Sequence, residues 1–540
     1  MLNVYDLERR LDEAIAAARV PGLALAVVRG EEVIYARGFG VTSAEEDGQP
    51  VTARTLFRIG STTKPLTGTA VMRLVEQGKL DLDRPVRDYV DWLSLAETGA
   101  AERVTLRMLM SHTAGLATAA EHYGPRDPSG LAASLRADLP SVPFVAPVAK
   151  LWSYSNPGIS LVGHVAEVAA GKPYPELMRE LVFEPLGMER TTFDPTVAMT
   201  YPLAQSHRPG DDGAPRVEHR FADNAGHYPA GFAISNVLDL ARFAVMHMNS
   251  GRVDGARLLR PESVAEMHRP HGRLYGPQDE AYGLTFGLGT HKGVRTVGHG
   301  GAISGYRSIF QMAPDQRVAV VILWSMPAGD GPMSRIAEDI LDQLLGLPAE
   351  KPEPRPVAPN RALWPRYEGS YLGDWAGLAT VRVEADRLVL DHNGETMPLE
   401  ALADDLYMHR TTNERGEPET RTIGFVAETE GPVQYVRVRG ATARRIDLAG
   451  LPSPDPAALA RWAGVYDWDG LDTATLRVED GRLFARSRNR GDKEVEARPV
   501  GERRFATPFG TFEVEEGDDG APRLRFASTF VYRRVADAPT

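Results

Sequence analysis

The chain has 540 residues, 43 % of them hydrophobic and 25 % charged, with a formal net charge of −12 at pH 7 and no cysteine. Such a length divides into several cores rather than one, and the acidic balance disfavours nucleic acid and anionic membranes, both of which reward basic surfaces. The lack of cysteine excludes disulfides, thiolate catalysis and cysteine-ligated metals.

The opening MLNVYDLERRLDEAIAAARV reads as a charged amphipathic helix with no signal-peptide core. No run approaches the ~18 consecutive apolar residues of a spanning helix, so a cytoplasmic protein that meets no membrane is the expectation. Leu23–Gly40 follows as two apolar strands turning at Arg29-Gly30. RIGSTTKPL (Arg58–Leu66) then sets Ser61 and Lys64 three apart, ahead of a helix predicted over Leu66–Gln77 and stopped by Gly78. Pro65 falls in the first turn, where a missing N–H is harmless, and Leu66, Ala70 and Leu74 form an apolar stripe. Two readings stand at this point. Ser61 is a helix cap, or it is a nucleophile whose base, Lys64, is kept neutral by burial.

LWSYSNPG (Leu151–Gly158) reads as a turn at Asn-Pro-Gly, followed by a helix over Ile159–Ala170 that ends at Gly171. Tyr154 and Asn156, two apart, project to one side of an extended segment. A tyrosine near a cationic lysine can have a lowered pKa and shuttle a proton, and an asparagine can hold both a lysine and a substrate carbonyl. A packing tyrosine beside a turn asparagine fits the same residues. GHGGAISG (Gly298–Gly305) places four glycines in eight residues, just before a hairpin over Ser308–Trp324 that turns near Pro314-Asp315. The glycines allow backbone to approach a ligand closely, and on a strand edge the Ala302 N–H can join that of Ser61 as an oxyanion hole. A flexible loop with a surface histidine is the other reading. Strands at both ends with helices between predict an α/β sandwich whose single antiparallel sheet is assembled from both ends of this region.

GLPAEKPEPRPVAPN (Gly346–Asn360), with five prolines, reads as an extended spacer, and LPSPDP (Leu451–Pro456) as a shorter one. The two segments they delimit repeat each other at an offset of 95: Tyr367–Tyr371 matches Trp462–Tyr466, and ATVRVEADRL (Ala379–Leu388) matches ATLRVEDGRL (Ala474–Leu483). Alternating apolar residues before a turn mark hairpins, so two copies of one small antiparallel barrel are expected. The boundaries are 1–346 for the mixed α/β domain, 347–360 for the linker, 361–450 for the first barrel, 451–456 for the short linker and 457–540 for the second barrel.

Taken in order, Ser-x-x-Lys, Tyr-x-Asn and His-x-Gly resemble the penicillin-binding serine hydrolases, in the branch of class C β-lactamases, DD-peptidases, family VIII esterases and D-aminopeptidases. Leu106–Leu116, Gly163–Phe193 and Pro229–Phe243 look like the same branch, and the resemblance covers roughly residues 5–345. It implies a β-lactamase-like catalytic domain followed by lipocalin-like barrels, with Ser61 as acylated nucleophile, Lys64 as its base and Tyr154 as proton shuttle to the leaving group. Asn156 orients Lys64 and the substrate amide, the Ser61 and Ala302 amides form the oxyanion hole, and His299 replaces the usual third-motif lysine. At His299-Gly300-Gly301 there is a mostly neutral imidazole and no hydroxyl, so a penicillin or a free peptide carboxylate is held less well.

His-Gly-Gly with two barrels behind looks most like the D-aminopeptidases, in which a loop of the last barrel meets the substrate's free amine. The corresponding loop here is Ser487–Lys493, with Asp492 as the expected partner of an ammonium group; a solvated charged turn is the alternative. The expected substrate is a small peptide, amide or ester, with no nucleic-acid partner, no cofactor and no metal, since the closest histidine pair, His268 and His271, has a proline between and no further ligands. Carboxylesterase or β-lactamase-like hydrolysis and acyl transfer of the peptide-cyclase kind are alternative activities, and a non-catalytic peptide sensor is the alternative of another class. Oligomeric state is left open.

Overall fold

A computed structural model of the chain describes all residues except 1, 46, 120–121, 211, 279, 327, 329, 349–352, 393, 413–417, 427–429, 439, 469–471, 489–492, 518, 528–529 and 538–540. Strand Gly22–Arg29 lies deepest, buried at every position but its last. Side chains alternate across a strand, so Leu23, Leu25 and Val27 meet Leu7 and Leu11 of helix Val4–Ala18 and Ile336, Ile340 and Leu341 of helix Asp330–Leu345. Ala24, Ala26 and Val28 turn to the larger core, which holds Leu66, Ala70 and Leu74 of helix Thr63–Glu76. Helices thus cover both faces of one sheet.

The sheet has eight strands. Gly22–Arg29 pairs antiparallel with Glu32–Gly40 on one side and Val318–Trp324 on the other. Tyr306–Ala313, Val294–Ile303, Gly287–His291 and two short strands complete it. The α/β sandwich joined from both ends is the observed architecture.

Two helix starts differ from the expectation. The helix expected at Leu66 begins at Thr63 and is preceded by a 3₁₀ turn over Gly60–Thr62. Asn156-Pro157-Gly158 is no free turn but the first turn of helix Asn156–Ala170. Ser155 caps it, its hydroxyl accepting from the Gly158 N–H at 3.1 Å, and Pro157 sits where no amide donor is needed. Gly171, with φ of +67°, stops the helix as expected.

Strands from Gly369 to Ile446 close one eight-stranded antiparallel barrel and those from Gly464 to Ala536 close a second. The repeat is visible atom for atom. The fully buried Tyr371 donates its hydroxyl proton to Tyr367 O at 2.6 Å, and the fully buried Tyr466 donates to Trp462 O at 2.6 Å. The first barrel joins the catalytic domain through an Arg273–Asp405 ion pair at 2.5 Å and an apolar contact of Leu151 and Ala146 with Val426 and Tyr435. The barrels join each other through Asp374–Arg504 at 2.6 Å and through Leu378 packed with Val500 and Ala506. No helix among the described residues is long and apolar enough to cross a membrane.

Candidate active site

Ser61 occupies the middle of the Gly60–Thr62 turn, partly exposed. Only glycine permits the approach of strand Val294–Ile303 to this turn. Gly60 has φ of +53°, and a Cβ there would lie 2.5 Å from Ala302 N; a Cβ on Gly301 would lie 2.0 Å from Ile59 O. The Thr62 hydroxyl ties turn to strand, 2.8 Å from Ser308 Oγ, which itself donates to Ile59 O at 2.7 Å. Ser61 and Ala302 consequently line one cavity, with the Ser61 amide at the start of a helix, where the macrodipole favours negative charge.

Lys64, one turn on, is fully buried. Its Nζ lies 3.0 Å from Ser61 Oγ, 2.7 Å from Asn156 Oδ1 and 2.5 Å from Ala230 O, and 4.7 Å from the centroid of the Tyr154 ring. These partners are all neutral. Burial therefore drives the amine well below its ordinary pKa of 10.5 and makes it a base able to take the serine proton. Asn156 is held in turn, its Nδ2 donating to Ala119 O at 3.0 Å.

Tyr154 hydrogen-bonds Ser61, but its pKa moves opposite to the expectation. Burial raises it above the ordinary 10.0, and the bond to Ser61 only partly offsets this. The expected lowering presumed a cationic lysine, whereas Lys64 is itself desolvated toward the neutral form. A phenol held protonated beside an amine pushed toward its neutral form pairs a proton donor with a proton acceptor, each set by its burial.

His299 lies within strand Val294–Ile303, followed by Gly300 and Gly301, so the glycine-rich stretch is a strand rather than a loop. Its Nε2 is 2.9 Å from the Tyr282 hydroxyl and its Nδ1 2.5 Å from Gly300 O. The second contact requires Nδ1–H, so Nε2 accepts from Tyr282. Burial lowers its pKa to about 3, so the imidazole is neutral.

Several groups around the site carried no local sequence signal. The carbonyl of Ala230 is backbone, invisible to any residue pattern. His112 adopts φ of +58°, accepts from the Ser155 N–H at Nδ1 (3.1 Å) and lies 4.4 Å, centroid to centroid, from the Tyr154 ring. Trp152 lies against the same tyrosine, and Tyr282 lies against Trp152 and His112. From the second barrel Trp468 reaches His122, ring centroids 5.8 Å apart, and His122 lines the Ser61 cavity. Asp492 lies outside the described residues. Among the described residues no group of three or more His, Asp and Glu side chains is placed to hold a metal ion.

Two cavities of unequal size lie beside Ser61 and Tyr154. The one containing Ser61, Asn156 and Ala302, walled by Gly231, Phe232 and His122, measures about 40 Å³. The other, about 330 Å³, opens beside Tyr154 and is roofed by Trp375, Arg437 and Thr442 of the first barrel.

The beta-lactamase family profile matches residues 7–345. Penicillin-binding protein 4 of Amycolatopsis lactamdurans is 30 % identical over 381 residues, a match covering 67 % of this chain and 98 % of that protein. Among solved structures, SurE with D-Leu is 26 % identical with a TM-score of 0.60, over 82 % of this chain and 99 % of that one. The octameric penicillin-binding protein homologue from Pyrococcus abyssi is 26 % identical with a TM-score of 0.58, over 82 % and 100 %. By sequence profile, relatives and fold alike, this chain belongs to the beta-lactamase family of serine hydrolases.

Proposed function

We propose that this serine hydrolase removes a small N-terminal D-residue from peptides or amides through an acyl-enzyme on Ser61. In this reading Lys64 Nζ takes the Ser61 proton as Oγ attacks the carbonyl carbon. The oxyanion accepts hydrogen bonds from the Ser61 and Ala302 amides. As the tetrahedral intermediate collapses, the C–N bond breaks and the Tyr154 hydroxyl protonates the departing amine, Lys64 restoring that proton to Tyr154. Water, deprotonated by the same pair, then attacks the ester and releases Ser61.

What carries the reading is the asymmetry of the cavities. Only a few heavy atoms fit the 40 Å³ space that holds Ser61 and the amide-binding Asn156, whereas 330 Å³ is open beside the leaving-group acid. A short acyl part and a long leaving part describe an aminopeptidase; a carboxypeptidase needs the reverse. The neutral His299 supports it further, because no fixed cation stands where β-lactams and wall peptides present a carboxylate. A neighbour of the same fold, SurE, has been solved with D-Leu.

The test is kcat/KM on D-Ala-p-nitroanilide, its L-enantiomer, its N-acetylated form, p-nitrophenyl butyrate and a chromogenic cephalosporin. The free-amine D-anilide should lead the amides, and N-acetylation should depress turnover. Turnover of the ester alone, or preference for the acetylated anilide, overturns the reading in favour of an esterase or of a carboxypeptidase-like enzyme.

A further inference from the structure

Arg437, on strand Tyr435–Val438 of the first barrel, is 3 % exposed and paired with no carboxylate among the described residues. Burying a lone cation is costly unless its hydrogen bonds are well used, and where those bonds go is informative. Nη1 donates to Trp152 O at 2.9 Å and to Thr442 Oγ1 at 2.7 Å, and Nη2 donates to Gly440 O. The guanidinium also lies over the Trp152 ring, 5.0 Å from its centroid. Nε is buried without a partner, and with both Nη atoms engaged the group offers little to a ligand. Two of its hydrogen bonds stay within the barrel, and the third, with the cation–π contact, reaches one residue of the catalytic domain.

That residue is two positions before Tyr154. The segment is anchored along one edge, Ser153 N–H donating to His112 O at 2.7 Å and Ser155 N–H to His112 Nδ1 at 3.1 Å. The opposite edge, at Trp152 O, is anchored across 285 residues by Arg437. Trp152 and Tyr154 sit on the same side of the chain with rings 6.1 Å apart, and Tyr282 stands 5.8 Å from Trp152 and hydrogen-bonds His299. Releasing Trp152 frees the wall against which the Tyr154 ring is set.

We propose that Arg437 is a positioning residue through which the first barrel fixes the Tyr154 phenol for protonation of the leaving group. The barrel is then part of the catalytic machinery at a distance: the partners of Lys64 among the described residues all lie outside it, and it bears on the step that needs an acid. This rests on the assignment of Tyr154 as that acid, and the two are separable by the leaving group. Anilide nitrogen cannot depart without a proton, whereas p-nitrophenolate can.

The experiment compares the full-length protein with Arg437→Met, Arg437→Lys and Tyr154→Phe, each normalised to sites titrated with a fluorophosphonate so that misfolded material is not counted. Arg437→Met should lower kcat on D-Ala-p-nitroanilide about 30- to 100-fold, the scale of an ångström's misplacement of a catalytic group, and lower p-nitrophenyl ester turnover by less than about threefold. Across a series of aryl esters, its kcat/KM should fall more steeply with leaving-group pKa than that of the parent. Arg437→Lys, keeping charge and one donor for Trp152 O, should recover part of the amide-to-ester ratio. Equal losses on both substrates in Arg437→Met, with Tyr154→Phe still selective against the amide, overturn the role of Arg437 alone. Equal losses in Tyr154→Phe as well overturn the acid assignment and this inference with it.

Discussion

Replacing Gly60 by alanine tests whether the turn and the strand meet as closely as catalysis requires. The new Cβ would stand 2.5 Å from Ala302 N and 3.0 Å from the carbonyl carbons of Gly301 and Ala302. Ordinary contact begins near 3.4 Å, so the strand must retreat by roughly 1 Å, enough to take an oxyanion donor out of hydrogen-bond range. Loss of one such donor lowers kcat by about 10²–10³, or about 3–4 kcal/mol of transition-state stabilisation. The left-handed backbone, φ +53°, adds a stability loss of about 1–2 kcal/mol for any side chain. Gly78 supplies the control, since its φ is +71° and a Cβ there meets nothing within 4 Å. Gly78→Ala should lose comparable stability and no activity. The assay is kcat on a D-anilide with titrated sites, together with urea denaturation of both variants. A Gly60→Ala enzyme within threefold of the parent, or a Gly78→Ala enzyme equally impaired, refutes the reasoning.

Lys64→Met should lower acylation of Ser61 by about 10²–10⁴ at neutral pH, read as the rate of adduct formation by mass spectrometry; an unchanged rate removes Lys64 as base. Because burial holds the Lys64 pKa well below 10.5, the ascending limb of kcat/KM should lie well to the acid side of an ordinary lysine, and a limb near 10.5 contradicts its burial. The buried His112, His227 and His247 have depressed pKa values, that of His227 about 4 against an ordinary 6.5. The unfolded chain binds more protons across that window, so stability falls as pH drops below 6.5, by up to about 1.4 kcal/mol per pH unit for each histidine. Urea melts between pH 7.5 and 5 should show the decline, and His247→Gln should flatten it. Tyr371→Phe and Tyr466→Phe should each cost about 0.5–1.5 kcal/mol by chemical denaturation, similar values being the mark of equivalent places in the two barrels.

The candidate site groups that the structure brings together were legible where their spacing is local. Ser61 and Lys64 lie one helical turn apart, and Tyr154, Asn156 and His299 fall in short motifs whose order alone suggested one site. The barrels were legible because their opening strands kept the same residues, down to Tyr371 and Tyr466. What escaped had no local pattern. Asn-Pro-Gly is as good a helix start as a turn once Ser155 is in place to cap it, and only the packed structure decides between them. The direction of the Tyr154 pKa is set by its own burial, under residues from several distant segments. Arg437 gave no sign of its role, since its partner Trp152 is 285 residues away.

The pairing of Gly22–Arg29 with Val318–Trp324 also governs how this protein is made. One neighbour of the sheet's deepest strand, Glu32–Gly40, is made directly after it, but the other follows nearly 300 residues later; at about 5–20 residues per second, the wait is about 15–60 s. Throughout it, Leu23, Leu25 and Val27 have only the two-stranded hairpin with Glu32–Gly40 to enter, and the sheet between the two helical layers is incomplete. Each barrel, by contrast, closes its first strand on its last within a single short segment. The catalytic domain is therefore the part of this chain whose sheet stays open longest during synthesis, whereas each barrel has all its strands as soon as its own segment is made.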